Sequence, residues 1–266
     1  MKKIVSIVLL LLIAMNIFVS CKNADREYSA SDEDSQGLEF YPRDDGTYAV
    51  ALSDKSRFLT NITLPETHRG KPVVEFTHNR DQVDFSNSAN FCFNLLSLTI
   101  PESIVNINVY ALGNCWKLVE VINHSQSDFS FLTEVVFDNW HQILELHNGD
   151  SKIKTVNGFH FLTSGSTNYL LGYSGNDSEI KLPKDYNGEK YQIHDYAFYN
   201  NLGFKSIRIS KNVSAIGMNI IDINSSVRMG FDAFYYEGTE EDFQKVSGKE
   251  NIEGWVRYDS NVASHE

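Results

Sequence analysis

Three cysteines in 266 residues, Cys21, Cys92 and Cys115, are too few for a disulfide scaffold. Prolines number five. Three of them, Pro65, Pro101 and Pro183, directly follow an aliphatic–x–aliphatic step. Cations are outnumbered, 23 Lys and Arg against 35 Asp and Glu, for a formal net charge of −12. An acidic chain gains nothing from phosphate counterion release, so nucleic acid is not an expected partner. Catalytic signatures are missing as well. The sequence has no H-E-x-x-H, no C-x-x-C and no phosphate-binding glycine loop. Gly172-Tyr173-Ser174-Gly175 is one residue short of a G-x-S-x-G elbow and reads as a turn. No enzyme activity, catalytic residue, metal or cofactor is expected.

The N-terminus carries an address. Lys2 and Lys3 precede an apolar run from Ile4 to Val19, the pattern of a secretory signal and short for a membrane span. The run ends in Phe18-Val19-Ser20-Cys21, which resembles a bacterial lipobox with Phe18 where leucine is usual. That resemblance implies cleavage after residue 20 and lipid on Cys21. The other reading is an ordinary cleavable signal with an incidental cysteine. Loss of Lys2 and Lys3 with the signal takes the net charge from −12 to −14. Residues 21–36 are polar and charged and read as a flexible tether, whose Asp32-Glu33-Asp34 cluster is better explained as solvated linker than as a metal site.

Self-comparison decides the fold class. Residues 37–50 match 158–171, with Gly37 on Gly158, Phe40 on Phe161 and Tyr48 on Tyr169. Residues 62–70 match 180–188, 97–107 match 206–216, and 122–129 match 236–243. Four blocks in one order indicate tandem modules over 37–156 and 157–246, followed by a tail over 247–266 whose polar end after Trp255 is expected to be poorly ordered. Each module opens on a hairpin: Leu38–Tyr41 with Thr47–Leu52 around Asp44-Asp45-Gly46, and Phe159–Leu162 with Asn168–Tyr173. Inside the modules a shorter unit recurs, seen in ITLP, LTIP, IKLP and IRIS. Aliphatic–x–aliphatic is strand periodicity, and the following proline ends the strand. Units this small need stacked neighbours to close a core. The fold expected is a β-rich repeat solenoid with short parallel strands, hairpins opening two tandem modules, and little helix.

ITLP, LTIPESIVNI, DYAFYNN and YYEGTEEDF resemble the BspA-type leucine-rich repeat family of bacterial surface proteins. The likeness covers most of residues 37–246, with the first module degenerate at 77–90 and 130–156. It implies a curved solenoid and an adhesive role: a lipoprotein of the bacterial envelope, outer membrane and outward-facing, that binds a host or bacterial protein. The alternative is a carbohydrate-binding accessory lipoprotein of a glycan uptake system. Expected partners are therefore a protein or glycan at the surface, and the membrane through the lipid.

Candidate binding residues come from strand alternation. The aliphatic pairs Ile62/Leu64, Leu98/Ile100, Ile180/Leu182 and Ile207/Ile209 share one face, so Thr63, Thr99, Lys181 and Arg208 point to solvent. Stacked as one ladder, these four would line one face suited to a carboxylate- or sulfate-bearing partner, unless it is simply a solvated face. Aromatics make up 12% of the chain, enough to expect some outside the core. Phe40, Phe161 and Phe198 read as core. Tyr196, Tyr199, Tyr235, Tyr236, Trp116 and Trp140 read as half-exposed, with Tyr196 and Tyr199 as binding candidates. His141 and His147 lack a third ligand and are better read as unrelated than as a metal pair. His194-Asp195 reads as a turn pair. Cys92 and Cys115, 23 residues apart, are expected to be neighbours on adjacent coils, with free thiols favoured although export permits oxidation.

Overall fold

A computed structural model describes residues 36–78, 92, 94–112, 115–134, 143–199, 201 and 203–258. Cys21, the tether as far as residue 35, Trp140 and His141 lie outside the described residues, whereas Gln36, at the end of the expected tether, is described.

Strands β1 (Leu38–Pro42) and β2 (Tyr48–Leu52) form the first hairpin, Leu38 opposite Leu52 and Phe40 opposite Val50. Asp45 shapes its turn by accepting from the Thr47 amide at 2.9 Å. The chain then crosses to β3 (Asn61–Thr63) and turns back through β4 (Thr67–His68) and β5 (Lys71–Phe76). Arg69 and Gly70 join these last two, both at positive φ, the geometry of a type I′ turn. From here the chain alternates between two sheets. Strand β6 (Ser97–Ile100) lies parallel to β3, β7 (Asn106–Ile107) to β5, β8 (Glu120–Asn123) to β6, and β9 (Glu145–His147) to β8.

The second module repeats that path. Strands β10 (Lys154–Val156), β11 (Phe159–Ser164) and β12 (Thr167–Tyr173) are antiparallel. Then come β13 (Glu179–Lys181), β14 (Tyr191–Ile193) parallel to β12, β15 (Ser206–Ile209) parallel to β13, and β16 (Val213–Ile216) parallel to β14. Strand β17 (Ala233–Tyr236) continues on β15, and β18 (Val256–Tyr258) on β17. Each module thus pairs a hairpin-led sheet with a four-stranded parallel ladder. The described helices are single turns or little more, such as Ile223–Arg228 and Glu240–Phe243. Thr239 caps the latter, accepting from the Asp242 amide at 3.1 Å.

Parallel register puts like residues in columns. Ile62, Leu98, Val121 and Leu146 form one inward column, and Ile180, Ile207, Phe234 and Val256 the other. Each module has its own apolar core, Phe40 in one and Phe161 and Phe198 in the other. A third cluster joins the modules. Leu96 and Val119, just ahead of β6 and β8, pack on Leu162 and Leu171 from the outer face of β11 and β12.

Two expectations about ends need correction. Strand β10 joins the second hairpin sheet from ahead of residue 157, and Val256–Tyr258 is a paired strand rather than loose tail. The second ladder runs on past residue 246 because Ile252 is buried in its core and Val256 packs against it.

Candidate functional site

The two ladders do not form one sheet, so Thr63, Thr99, Lys181 and Arg208 do not share a face. Thr63 and Thr99 are neighbours on the first ladder; Lys181 and Arg208 are neighbours on the second. The sequence pattern sets which residues alternate outward but not which strands pair.

The outer face of the first ladder is engaged. Glu120, at 0% exposure, sits on it one row from Thr99. Its carboxylate accepts from the Ser97 hydroxyl at 2.7 Å, the Ser151 hydroxyl at 2.7 Å and the Lys152 amide at 2.6 Å, and lies 3.2 Å from His147 Nε2. Burial raises the Glu120 pKa, but these hydrogen bonds outweigh it and hold the carboxyl below its usual range. Ser151 and Lys152 belong to the segment between the modules, which is thereby fastened over β8. Lys152 also pairs with Glu145 at 2.6 Å. At the edge of the ladder the Gln36 amide brackets Thr63, donating to its carbonyl at 3.1 Å and accepting from its N–H at 3.1 Å.

The second ladder presents a row of different character. Register aligns Lys181, Arg208, Tyr235 and Arg257 across β13, β15, β17 and β18. The guanidinium carbons of Arg208 and Arg257 lie 5.4 and 5.8 Å from the centre of the Tyr235 ring, within cation–π range. Asp232 orders the end of the row. Arg257 forks onto its carboxylate with two bonds of 2.8 Å, and the Tyr235 hydroxyl donates to it at 2.6 Å. The hydrogen bond from Tyr235 is the main cause that lowers the Asp232 pKa, and the same bond raises that of the phenol. Lys181 pairs with Glu237 at 3.1 Å. Beside the row is an open depression of about 590 Å³ lined by Lys181, Lys205, Arg208, Asp232 and Tyr235, among others. Arg257 escapes sequence reasoning because its segment reads as tail. The signal for it is Val256-Arg257-Tyr258, an apolar–x–apolar step like Ile207-Arg208-Ile209.

The aromatic candidates divide. Tyr196 is 6% exposed and Tyr236 is 1% exposed, so both expectations of half-exposure are wrong. Tyr236 packs on Phe243 in the core. Tyr196 and Tyr199 meet Trp116 of the first module at ring separations of 5.3 and 5.7 Å. They are buried or half-buried because the modules pack side by side there, so they act as junction contacts. His147 is engaged with Glu120, and among the described residues no group of three or more His, Cys, Asp or Glu is placed to hold a metal. His194 and Asp195 do form a turn, with Asp195 Oδ1 accepting from the Met218 amide at 2.6 Å. Cys92 and Cys115 are buried, free and hydrogen-bonded to each other. That bond, with burial, raises the Cys115 pKa well above its usual value.

No curated protein matches the chain. Among solved structures, a leucine-rich repeat protein of T. pallidum aligns at 15% identity and a TM-score of 0.25, over 71% of this chain and 55% of that one. The chain thus spans little more than half of that protein's length. A leucine-rich cell surface protein from Faecalibacterium prausnitzii aligns at 12% identity and 0.28, over 81% and 97%. A leucine-rich repeat protein from Bacteroides capillosus aligns at 15% and 0.26, over 77% and 97%. The family model described as BspA type leucine-rich repeat region matches residues 85–228 and 164–253, with six copies. With more than half its residues covered, and two parallel ladders of repeated short strands, the chain belongs to the BspA-type leucine-rich repeat family.

Proposed function

We propose that this is a non-catalytic binding lipoprotein of the bacterial cell surface, anchored through Cys21, that contacts a protein partner with the outer face of its second ladder. The observation that carries the reading is the contrast between the ladders. The first has its outer face covered at Glu120, one row from Thr99, whereas the second aligns Lys181, Arg208, Tyr235 and Arg257 beside an open depression. Repeat proteins recognise partners on such extended faces. Stacking on Tyr235 and the fork onto Asp232 hold two guanidinium groups in place before any partner arrives, which lowers the ordering cost of contact. A partner bearing carboxylate or sulfate groups fits this row. Sugar stacking fits it less well, because two guanidinium groups already lie over the Tyr235 ring.

The test compares capture of surface or matrix proteins with binding to a glycan array, then measures the Lys181→Ala/Arg208→Ala double variant. The expected result is a protein partner whose affinity falls about tenfold in the variant and whose salt dependence shrinks. Unchanged affinity and salt dependence rule this face out, and binding confined to glycans favours the accessory-lipoprotein alternative.

A further inference from the structure

A cleft of about 230 Å³ lies where the modules meet. The first module contributes Asn94, Leu96 and Lys117; the second contributes His160, Leu171, Gly172, Tyr173, Ser174 and Ala197. Lys117 is 7% exposed and crosses the junction to donate to the Ala197 carbonyl at 2.9 Å. An ammonium group has three N–H donors, and this carbonyl takes one. His160 Nδ1 lies 2.9 Å from the Thr155 hydroxyl, while its Nε2 is buried with no hydrogen-bond partner. Gly172 lets the acceptor carbonyl approach, since a Cβ there would stand 2.9 Å from the Ala197 oxygen. No carboxylate is among the described residues that line the cleft. It therefore holds a buried amine, whose charged form has no counter-charge in the described wall, and an orphaned imidazole nitrogen. Buried polar groups in native proteins are satisfied by something.

We propose that this inter-module cleft is a binding site for a small organic monocarboxylate, whose oxygens take the remaining donors of Lys117 and the N–H of His160. One ammonium balances one negative charge, which favours a monoanion over a phosphate dianion. Leu96, Leu171 and the Tyr173 ring give the acid an apolar body to lie against, and Phe58, 72% exposed, stands at the mouth. The volume is below the roughly 300–1,000 Å³ usual for drug-sized ligands, so the ligand is small, of short-chain or benzoate size.

Charge in the cleft predicts a linked proton. Burial lowers the Lys117 pKa to about 7. Two histidines face it from the second module. Burial, then the Lys117 charge, lowers His160; burial is the leading effect on His194, with Lys117 adding to it and Asp195 opposing it. An anion would restore the ammonium form, so at pH 8 binding should take up about one proton per ligand. Affinity should weaken as pH rises through 7.

The experiment is calorimetric titration of the purified full chain with acetate, butyrate and benzoate, with butyramide and benzamide as neutral isosteres and inorganic phosphate as a dianion. Runs at pH 8 in buffers of different ionisation enthalpy report proton uptake. The expected result is saturable carboxylate binding with proton uptake, no comparable binding of the amides, and a loss of about tenfold or more in Lys117→Met, which keeps the apolar stem. Shifts of the Gly172 and Ala197 amide signals on adding benzoate to the wild-type chain localise the site even if that variant fails to fold. Equal binding of amides, carboxylate binding unaffected by Lys117→Met, preference for phosphate, or no shift at Gly172 and Ala197 overturns the proposal.

Discussion

Glu120 should respond to substitution in a graded way that its four contacts define. One carboxylate oxygen takes the Ser97 and Ser151 hydroxyls, and the other takes the Lys152 amide and faces His147. In Glu120→Gln an amide nitrogen can replace the first oxygen, because both hydroxyls can turn to accept. The retained carbonyl still takes the Lys152 N–H. Only charge assistance is lost, about 1–2 kcal/mol. Glu120→Ala leaves the Lys152 N–H without an acceptor, frees the segment over β8 and opens a cavity, costing about 3–5 kcal/mol. At this chain size each kcal/mol moves Tm by about 2–4 °C, so roughly 2–8 °C is expected for Gln and 6–20 °C for Ala. Differential scanning calorimetry measures both. The pH profile adds an independent check. The folded pKa of Glu120 is depressed, so its contribution is fully present above the unfolded value near 4.5 and is lost as pH falls through the folded value. Wild type should therefore lose stability faster than Glu120→Gln on the acid side. Equal Tm shifts for Gln and Ala, or identical acid limbs, would refute the reading of this carboxylate as the clasp.

Three further outcomes are expected. Cys21→Ala should abolish metabolic labelling with palmitate and release the chain from membranes; persistent labelling would sink the anchor. Thiol titration of the unfolded, unreduced chain should find both Cys92 and Cys115 reactive, and finding neither would mean that the buried pair is oxidised. Leu98→Ala and Ile207→Ala, at equivalent inward positions of the two ladders, should each cost about 2–5 kcal/mol and still give one unfolding transition, because Leu96, Val119, Leu162 and Leu171 tie the modules together. Two resolved transitions would show that the junction does not couple them.

The inward residues were legible because strand alternation and proline stops are local. Ile62, Leu98, Ile180 and Ile207 are each at most 3% exposed. The hairpins were legible for the same reason. What the sequence did not reveal depends on partners far along the chain. Tyr196 resembles a surface aromatic until Trp116, 80 residues earlier, is placed against it. Glu120 reads as one more acidic residue until Ser151 and Lys152 fold back on it. One further turn has a local signal. Asn157-Gly158 is a strong hairpin signal, and both residues take positive φ in the turn from β10 to β11.

Duplication explains why two modules of one topology present different surfaces. The first ladder receives the segment that leads into the second module, so its outer face has a partner supplied by the chain itself: Ser151 and Lys152 on Glu120. Among the described residues no such return crosses the second ladder, whose last strand is Val256–Tyr258. Its outer face carries charge, and the equivalents of Thr63 and Thr99 there are Lys181 and Arg208. The same asymmetry places the cleft. The outer face of the second hairpin is apolar at Leu162 and Leu171 because it packs on the first module. The corresponding face of the first hairpin carries Ala49 and Ala51 beside Tyr41. Side-by-side packing leaves a seam wherever the apolar contact ends, and Lys117 and His160 stand at that seam. Lys117 already bridges that seam to the Ala197 carbonyl, so a ligand that restores its ammonium form would add to a junction that Leu96, Val119, Leu162 and Leu171 hold.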